Sequence, residues 1–253
     1  MSRWRVADAY FPSRPATSHR YRGDMRVAAI QTTPIALDVE RNAVEHARLI
    51  SEAASDVCVF PELSLTGYEL DPLSPITEED GRLDPIRRVC RTDEVYALVG
   101  APLSTPDGPL VATLVVGPTG EVLGHYGKRH LHGVETDLFV AGDHHVLLDV
   151  DGWRLGLAVC YDAAVPDHAE AVREGGADVY LVSGLFEKGT EQRLVDQATA
   201  AADLGMWVVL SQYTGRTGPY DTFGGSGVWR PGGAVEARLG REPGIARATL
   251  VRP

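Results

Sequence analysis

The run Leu155-Gly-Leu-Ala-Val-Cys160-Tyr161-Asp162 constrains the fold more than any other stretch of the chain. Its apolar part suits a buried strand, and the strand ends on a thiol. Val165-Pro166-Asp167 supplies a turn, and Asp167-His-Ala-Glu-Ala-Val-Arg-Glu reads as the following helix, with Asp167 as its N-cap. A cysteine inside a strand is packing, whereas one at the strand's mouth can reach a substrate. The order strand, Cys, helix resembles a nucleophile elbow, and helix-terminal N–H groups near the sulfur would favour the thiolate and an oxyanion beside it.

Two further apolar runs end on charges. Asp56-Val-Cys-Val-Phe60 reads as a short buried strand, and Pro61-Glu62-Leu follows at once, which places Glu62 at a strand exit. Gly120-Glu-Val-Leu-Gly-His-Tyr126-Gly-Lys128 carries a lysine at the end of another strand, and Glu135 lies seven residues beyond it. Singly, each charge is explained by a surface ion pair. Together, in the order Glu, Lys, Cys and each at a strand exit, they point to one site.

The intervening chain alternates strands with helices. Asp38 to Ala54 has apolar residues near helical spacing behind an N-capping Asp38, and Glu191 to Leu204 reads as a second long helix. Val95 to Val99, Leu110 to Val116, Val122 to Tyr126, Val179 to Val182 and Trp207 to Leu210 read as strands. Val146 to Val150 and Trp153 to Val159 flank Asp151-Gly152, a strong two-residue hairpin signal. Hairpins mixed with helices predict an α/β fold with mixed sheets rather than a purely parallel sheet.

At 253 residues the chain suits one large domain, and its formal charge of −11, from 35 acidic against 24 basic residues, argues against a nucleic-acid partner. No apolar run approaches the roughly 18 residues of a membrane span. Cys58, Cys90 and Cys160 are an odd set without a secretory signal, so a cytoplasmic location is expected, with Cys58 and Cys90 as structural thiols. Residues 1–24 hold five arginines, two aspartates and two prolines without apolar periodicity. They are expected to be a poorly ordered extension ahead of a domain spanning residues 25–253.

Six ordered blocks resemble those of the nitrilase superfamily of carbon–nitrogen hydrolases: Arg26-Val-Ala-Ala-Ile-Gln31, Phe60-Pro-Glu62-Leu, Lys128-Arg-His-Leu, Cys160-Tyr-Asp, Gly176-Ala-Asp178 with Val182-Ser-Gly, and Gly225-Ser226-Gly-Val-Trp-Arg-Pro231-Gly232-Gly. The resemblance implies an αββα sandwich and a Glu62, Lys128, Cys160 triad. Cys160 would attack a carbonyl carbon, Glu62 would serve as general base and acid, and Lys128 with the Tyr161 backbone N–H would hold the oxyanion. Glu135 matches a second glutamate that positions the lysine and the substrate. Tyr68, His130, Asp162, Ala163, Ala164 and Phe186 are the candidates for the substrate pocket, with His130 orienting the loop after Lys128. No cofactor is implied. His130, His132, His144 and His145 crowd one region but lack a recognisable metal-ligand spacing, so no metal site is expected.

The chain departs from the family pattern at His132, Val165, Asp167 and Ser211-Gln212-Tyr-Thr-Gly215. Nitrile-cleaving branches carry Trp-Glu after the nucleophile, whereas Tyr161-Asp162 is the form of amidases and carbamoylases. Hydrolysis of a small carboxamide or N-carbamoyl compound through a cysteine thioester is therefore expected. Acyl transfer at the same site, nitrile hydrolysis and a non-catalytic scaffold are the alternatives. Ala163 and Ala164 stand where branches acting on carboxylated amides place an arginine, so neutral or cationic amides are favoured. Ala-rich faces on the helices after Cys160 lead to the expectation of a homodimer at least.

Overall fold

The computed structural model describes Ala9–Phe11 and residues 23–252. In chain order the elements are β1 (Ala9–Phe11), β2 (Met25–Gln31), α1 (Val39–Ala53), β3 (Val57–Val59), α2 (Asp84–Asp93), β4 (Tyr96–Leu103), β5 (Leu110–Val116), β6 (Val122–Gly127) and α3 (Glu135–Leu138). There follow β7 (Val146–Val150), β8 (Trp153–Val159), α4 (Pro166–Glu174), β9 (Val179–Ser183), α5 (Glu191–Asp203) and β10 (Trp207–Ser211). β11 (Thr214–Thr217), β12 (Tyr220–Phe223), β13 (Gly227–Trp229), β14 (Val235–Arg238) and β15 (Gly244–Leu250) complete the chain.

A six-stranded mixed sheet has the order β15-β2-β3-β4-β5-β6, and a seven-stranded mixed sheet the order β1-β7-β8-β9-β10-β13-β14. Alternation along the strands decides what lies between them. Val27, Val57, Val59, Leu98 and Val115 of the first sheet share a core with Leu148, Leu155, Leu157, Val159 and Val209 of the second. The opposite faces meet helices. Ala28, Ile30, Cys58 and Val99 pack with α1 and α2, and Ala158, Tyr180, Val208 and Leu210 with α4 and α5. The result is a four-layer αββα sandwich.

Local chemistry explains the element ends. The Asp38 carboxylate accepts from the Arg41 N–H at 3.1 Å at the start of α1, as an N-cap does. Asp151 and Gly152 both have positive φ, 48° and 84°, which is the type I′ hairpin conformation joining β7 to β8. β4 runs past the predicted end at Val99 to Leu103, because β3 stops at Val59 and β5 alone pairs with the remainder, Pro102 included.

Three expectations require adjustment. Asp167 does not cap α4, which begins at Pro166 behind an extended Val165; proline's fixed φ and missing N–H suit a first helical turn. The alanine faces that suggested subunit pairing are turned inward, since Ala169, Ala198, Ala201 and Ala202 are buried against the subunit's own sheet. Within the segment read as an extension, Ala9–Phe11 pair in parallel with Val146 to Leu148, and residues 1–8 and 12–22 lie outside the described residues. Among the described residues no helix is long and apolar enough to cross a membrane.

Candidate active site

β3, β6 and β8 each deliver one reactive group at their C-terminal end, from both sheets, into the space the sheets share. After β3, Pro61 and Glu62 enter a tight turn in which Leu63 takes a left-handed φ of 49°. The turn is braced from several sides. The Gly100 N–H donates to Ser64 Oγ at 3.2 Å, His46 Nε2 meets that hydroxyl at 2.9 Å, and the Tyr213 hydroxyl donates to the Glu62 carbonyl. A side chain at Gly100 would put its Cβ 2.4 Å from both Pro61 O and Leu63 N, so β4 approaches the turn closely only because that residue is glycine.

Lys128 follows β6 and is 1% exposed. Its Nζ donates to Glu62 Oε1 and Glu135 Oε1, both at 2.7 Å. Glu135, at the start of α3, is fully engaged: Oε1 also accepts from the Tyr68 hydroxyl at 2.6 Å and Oε2 from the His132 N–H at 2.8 Å. Glu62 has no such complement. Among the described residues its buried Oε2 has no hydrogen-bond partner. A buried carboxylate oxygen left open beside a lysine calls for a functional explanation.

Cys160 follows β8 with a left-handed φ of 46° at the head of a single 3₁₀ turn, Cys160–Ala164. A non-glycine residue there stores strain, as expected at a nucleophile elbow. Its Sγ donates to the Leu185 carbonyl at 3.3 Å. Contrary to the expectation that helix-terminal N–H groups would favour the thiolate, burial and the nearby Glu62 push the thiol's pKa up, and Lys128 opposes them only in part. Burial raises the Glu62 carboxyl to about 7, against the lowering effect of Lys128. Lys128 itself is pulled down by burial but raised on balance by Glu62, Cys160 and Glu135, so it stays charged. The site at rest thus holds a protonated thiol, a permanent cation and a carboxyl that ionises near neutrality.

The predicted pocket residues divide. Tyr68 lies in the cluster, and Tyr220, which the sequence did not single out, stands edge-on to it with ring centroids 5.2 Å apart. Tyr161 is 37% exposed and stacks on His132 at 4.5 Å, at the rim. Ala164 is half-buried where the 3₁₀ turn ends. Three candidates point elsewhere. Phe186 and Ala163 pack into the outer core with α5, because the residues after β8 and β9 turn toward the helical layer. Asp162 is buried behind the nucleophile, holding backbone N–H groups, and has no exposed surface to offer a substrate. His130 donates to Asp162 from its backbone and meets it with its ring at 2.8 Å, consistent with orienting the loop after Lys128. His144 pairs with Asp143, away from that ring. Among the described residues no group of three His, Cys, Asp or Glu is arranged to hold a metal.

Gln212 is the clearest residue missed. Its buried amide accepts from the Phe186 N–H at 2.9 Å and donates to the Phe186 carbonyl at 2.8 Å, fixing the loop whose Leu185 carbonyl meets Cys160. The departure at Ser211-Gln212-Tyr213 was the available signal, since Tyr213 and Gln212 brace Glu62 and Cys160 from one strand end. Cys58 and Cys90 are buried in the outer layer, where desolvation raises both thiols, Cys58 to about 12.

Comparison with known proteins agrees with this geometry. The carbon-nitrogen hydrolase family model matches residues 26–253. A hydrolase from the pqqF 5′ region of Pseudomonas protegens is 29% identical over 238 residues, 90% of this chain and 83% of its own. The 2-oxoglutaramate amidase of Bacillus subtilis is 27% identical over 202 residues, 78% of each chain. A mutant of the amidase from Nesterenkonia sp. AN1, carrying the acetamide moiety of fluoroacetamide on its active site cysteine, superposes with a TM-score of 0.80 at 27% identity, covering 91% of this chain and 92% of that one.

The close approach at Gly100 makes a testable statement about how Glu62 is held. Gly100→Ala forces backbone apart at the Glu62 turn, so it is expected to cost about 1–3 kcal/mol in urea unfolding. It should also lower turnover of any substrate by more than a control Ala substitution at exposed Gly81, where nothing lies within 4 Å. Equal effects at the two glycines would remove the bracing role.

Proposed function

The chain belongs to the carbon-nitrogen hydrolase family and is an amidase-type enzyme of it, and from that premise we propose that it cleaves a small carboxamide or N-carbamoyl compound through a thioester on Cys160. The open Oε2 of Glu62, within the field of the Cys160 thiol, is the observation that carries this reading. A raised thiol cannot act until a neighbouring base takes its proton, and a carboxyl with a pKa of about 7 is matched to that task at neutral pH.

Cys160 attacks the carbonyl carbon as Glu62 accepts the thiol proton. Negative charge then grows on the carbonyl oxygen, where the Lys128 ammonium and the Tyr161 N–H stabilise it. Glu62 passes the proton to the departing nitrogen, the amine or ammonia leaves, and Glu62 next deprotonates the water that opens the thioester. The two glutamates differ in role because they differ in partners. Glu135, held by Tyr68, His132 and Lys128, keeps the ammonium in place, whereas Glu62 keeps one oxygen free for protons.

Substrate charge follows from the arginines. Arg173 donates to the Ala177 carbonyl, Arg154 to the Gly175 carbonyl, and Arg193 lies 5.7 Å over the Phe186 ring on the outer face, so all three are occupied away from Cys160. The groups that act on Cys160 are two glutamates and one lysine. A substrate carboxylate would meet net negative charge there with no bidentate partner. The Nesterenkonia enzyme's acetamide adduct is a neutral group of the size this reading calls for.

Three measurements test the proposal. Ammonia release from a panel of neutral aliphatic amides is expected with the parent protein and is expected to vanish in Cys160→Ala; a tenth of parental activity in that variant would exclude the covalent route. A neutral amide should exceed its ω-carboxylated analogue in kcat/KM, and a tenfold preference for the acid would overturn the charge argument. The third concerns pH. Activity needs the ionised Glu62, so kcat/KM should rise with pH through about 7. Lys128 lowers that pKa, so Lys128→Met should move the rising limb to higher pH while reducing kcat by roughly 10²-fold. A limb that stays in place would mean that Glu62 is not the titrating base.

A further inference from the structure

Five donors from both sheets converge on one buried carboxylate, Asp162. Its Oδ1 accepts from the Arg129 N–H at 3.2 Å, the His130 N–H at 2.9 Å and the His130 ring at 2.8 Å. Its Oδ2 accepts from the Val159 N–H at 3.0 Å and the Tyr126 hydroxyl at 2.7 Å. Val159 immediately precedes Cys160, and Arg129 and His130 immediately follow Lys128. Asp162 therefore joins the elbow of the seven-stranded sheet to the lysine loop of the six-stranded sheet.

Behind the carboxylate the donors and acceptors can be assigned one by one. The Tyr126 hydroxyl has one proton and gives it to Asp162, so at its 2.8 Å contact with His168 Nε2 the imidazole is the donor. His168 Nδ1 must then accept from the Tyr180 hydroxyl, also at 2.8 Å. That imidazole is neutral, because burial lowers its pKa to about 4. The chain Tyr180 to His168 to Tyr126 to Asp162 points every proton toward the carboxylate. His145, close to the His168 ring at 4.7 Å and contacted by the Arg129 guanidinium, closes the far side. Despite full burial, these donors hold the Asp162 carboxyl below its ordinary range.

Resting on the reading of Lys128 and Cys160 as a working pair, we propose that Asp162 is a positioning residue that sets where the Lys128 ammonium stands relative to the Cys160 sulfur, with His168 and the two tyrosines as its support. Charge-assisted bonds to backbone N–H groups on either side fix two chain segments with one group. Asparagine at this position keeps the shape but turns an NH₂ toward either the Arg129 and His130 donors or the Val159 and Tyr126 donors, so one segment is released.

Asp162→Asn is expected to lower kcat for ammonia release by roughly 10²-fold, the cost of a misplaced group of about 1 Å, with KM changed little. A second readout needs no substrate. Lys128 lowers the thiol's pKa, so freeing it should shift the pH midpoint of Cys160 alkylation by iodoacetamide upward, with Cys160→Ala as the blank. Lys128→Met should shift the midpoint too, and Asp162→Asn added to Lys128→Met should shift it no further, because one acts through the other. Additive shifts, or an alkylation midpoint for Asp162→Asn equal to that of the parent, would overturn the proposal. If the parent releases no ammonia from any amide, the amidase reading fails while the alkylation series still decides the role of Asp162. Tyr126→Phe, which removes one of the five donors, covers the case in which Asp162→Asn does not fold. It should raise the alkylation midpoint by a smaller amount, and no change would count against Asp162 as the anchor.

Discussion

The buried Lys128 ammonium, held between two carboxylates, is the interaction on which the rest of the site depends. A lone charge at that depth would be neutralised, and two carboxylates beside one cation leave an excess negative charge that the interior disfavours. The excess falls on Glu62, because Glu135 is stabilised by Tyr68 and His132 while Glu62 has only the lysine. Burial and the second carboxylate then lift Glu62 into the range where a proton can come and go. The electrostatic imbalance that makes the cluster costly is the property that makes it a base.

Keeping such a cluster in place requires close backbone packing. Gly142 donates to the Lys128 carbonyl at 2.8 Å, and a Cβ at Gly142 would meet Gly127 O at 2.2 Å, so the chain before α3 lies directly on the lysine's strand end. Gly100 allows the same intimacy at Glu62. The left-handed backbones of Leu63 and Cys160 fall next to the base and at the nucleophile, where the surrounding hydrogen bonds determine the conformation in full.

Much of this was legible from residue order alone. Apolar runs that stop at Glu62, Lys128 and Cys160 announce strand exits, and period-two patterning with Asp151-Gly152 announces mixed sheets. What the chain order does not carry is which side a residue faces after a strand ends. Ala163 and Phe186 lie within a few residues of Cys160 and of the loop beside it, yet they face the helical layer. Asp162 follows the nucleophile by two positions but looks backward into the protein, drawn there by backbone N–H groups that sequence cannot display. The alanine faces misled for a related reason, since small residues suit close helix packing against a sheet as well as against another subunit.

Gln212 and His46 illustrate a second limit. Each is a polar residue buried far in sequence from the group it serves, and each works through a backbone atom: Gln212 through the loop of Leu185, His46 through Ser64 and the Glu62 turn. Residue-type reasoning finds groups that do chemistry, because chemistry needs particular side chains. It does not find groups that hold backbone, because several side chains can donate or accept equally well. The reactive triad is therefore readable as three letters, while the geometry that lets those letters act is distributed over β4, β9, β10 and α1. Since Glu62 and Lys128 come from one sheet and Cys160 from the other, that geometry is only as fixed as the apolar layer between the sheets.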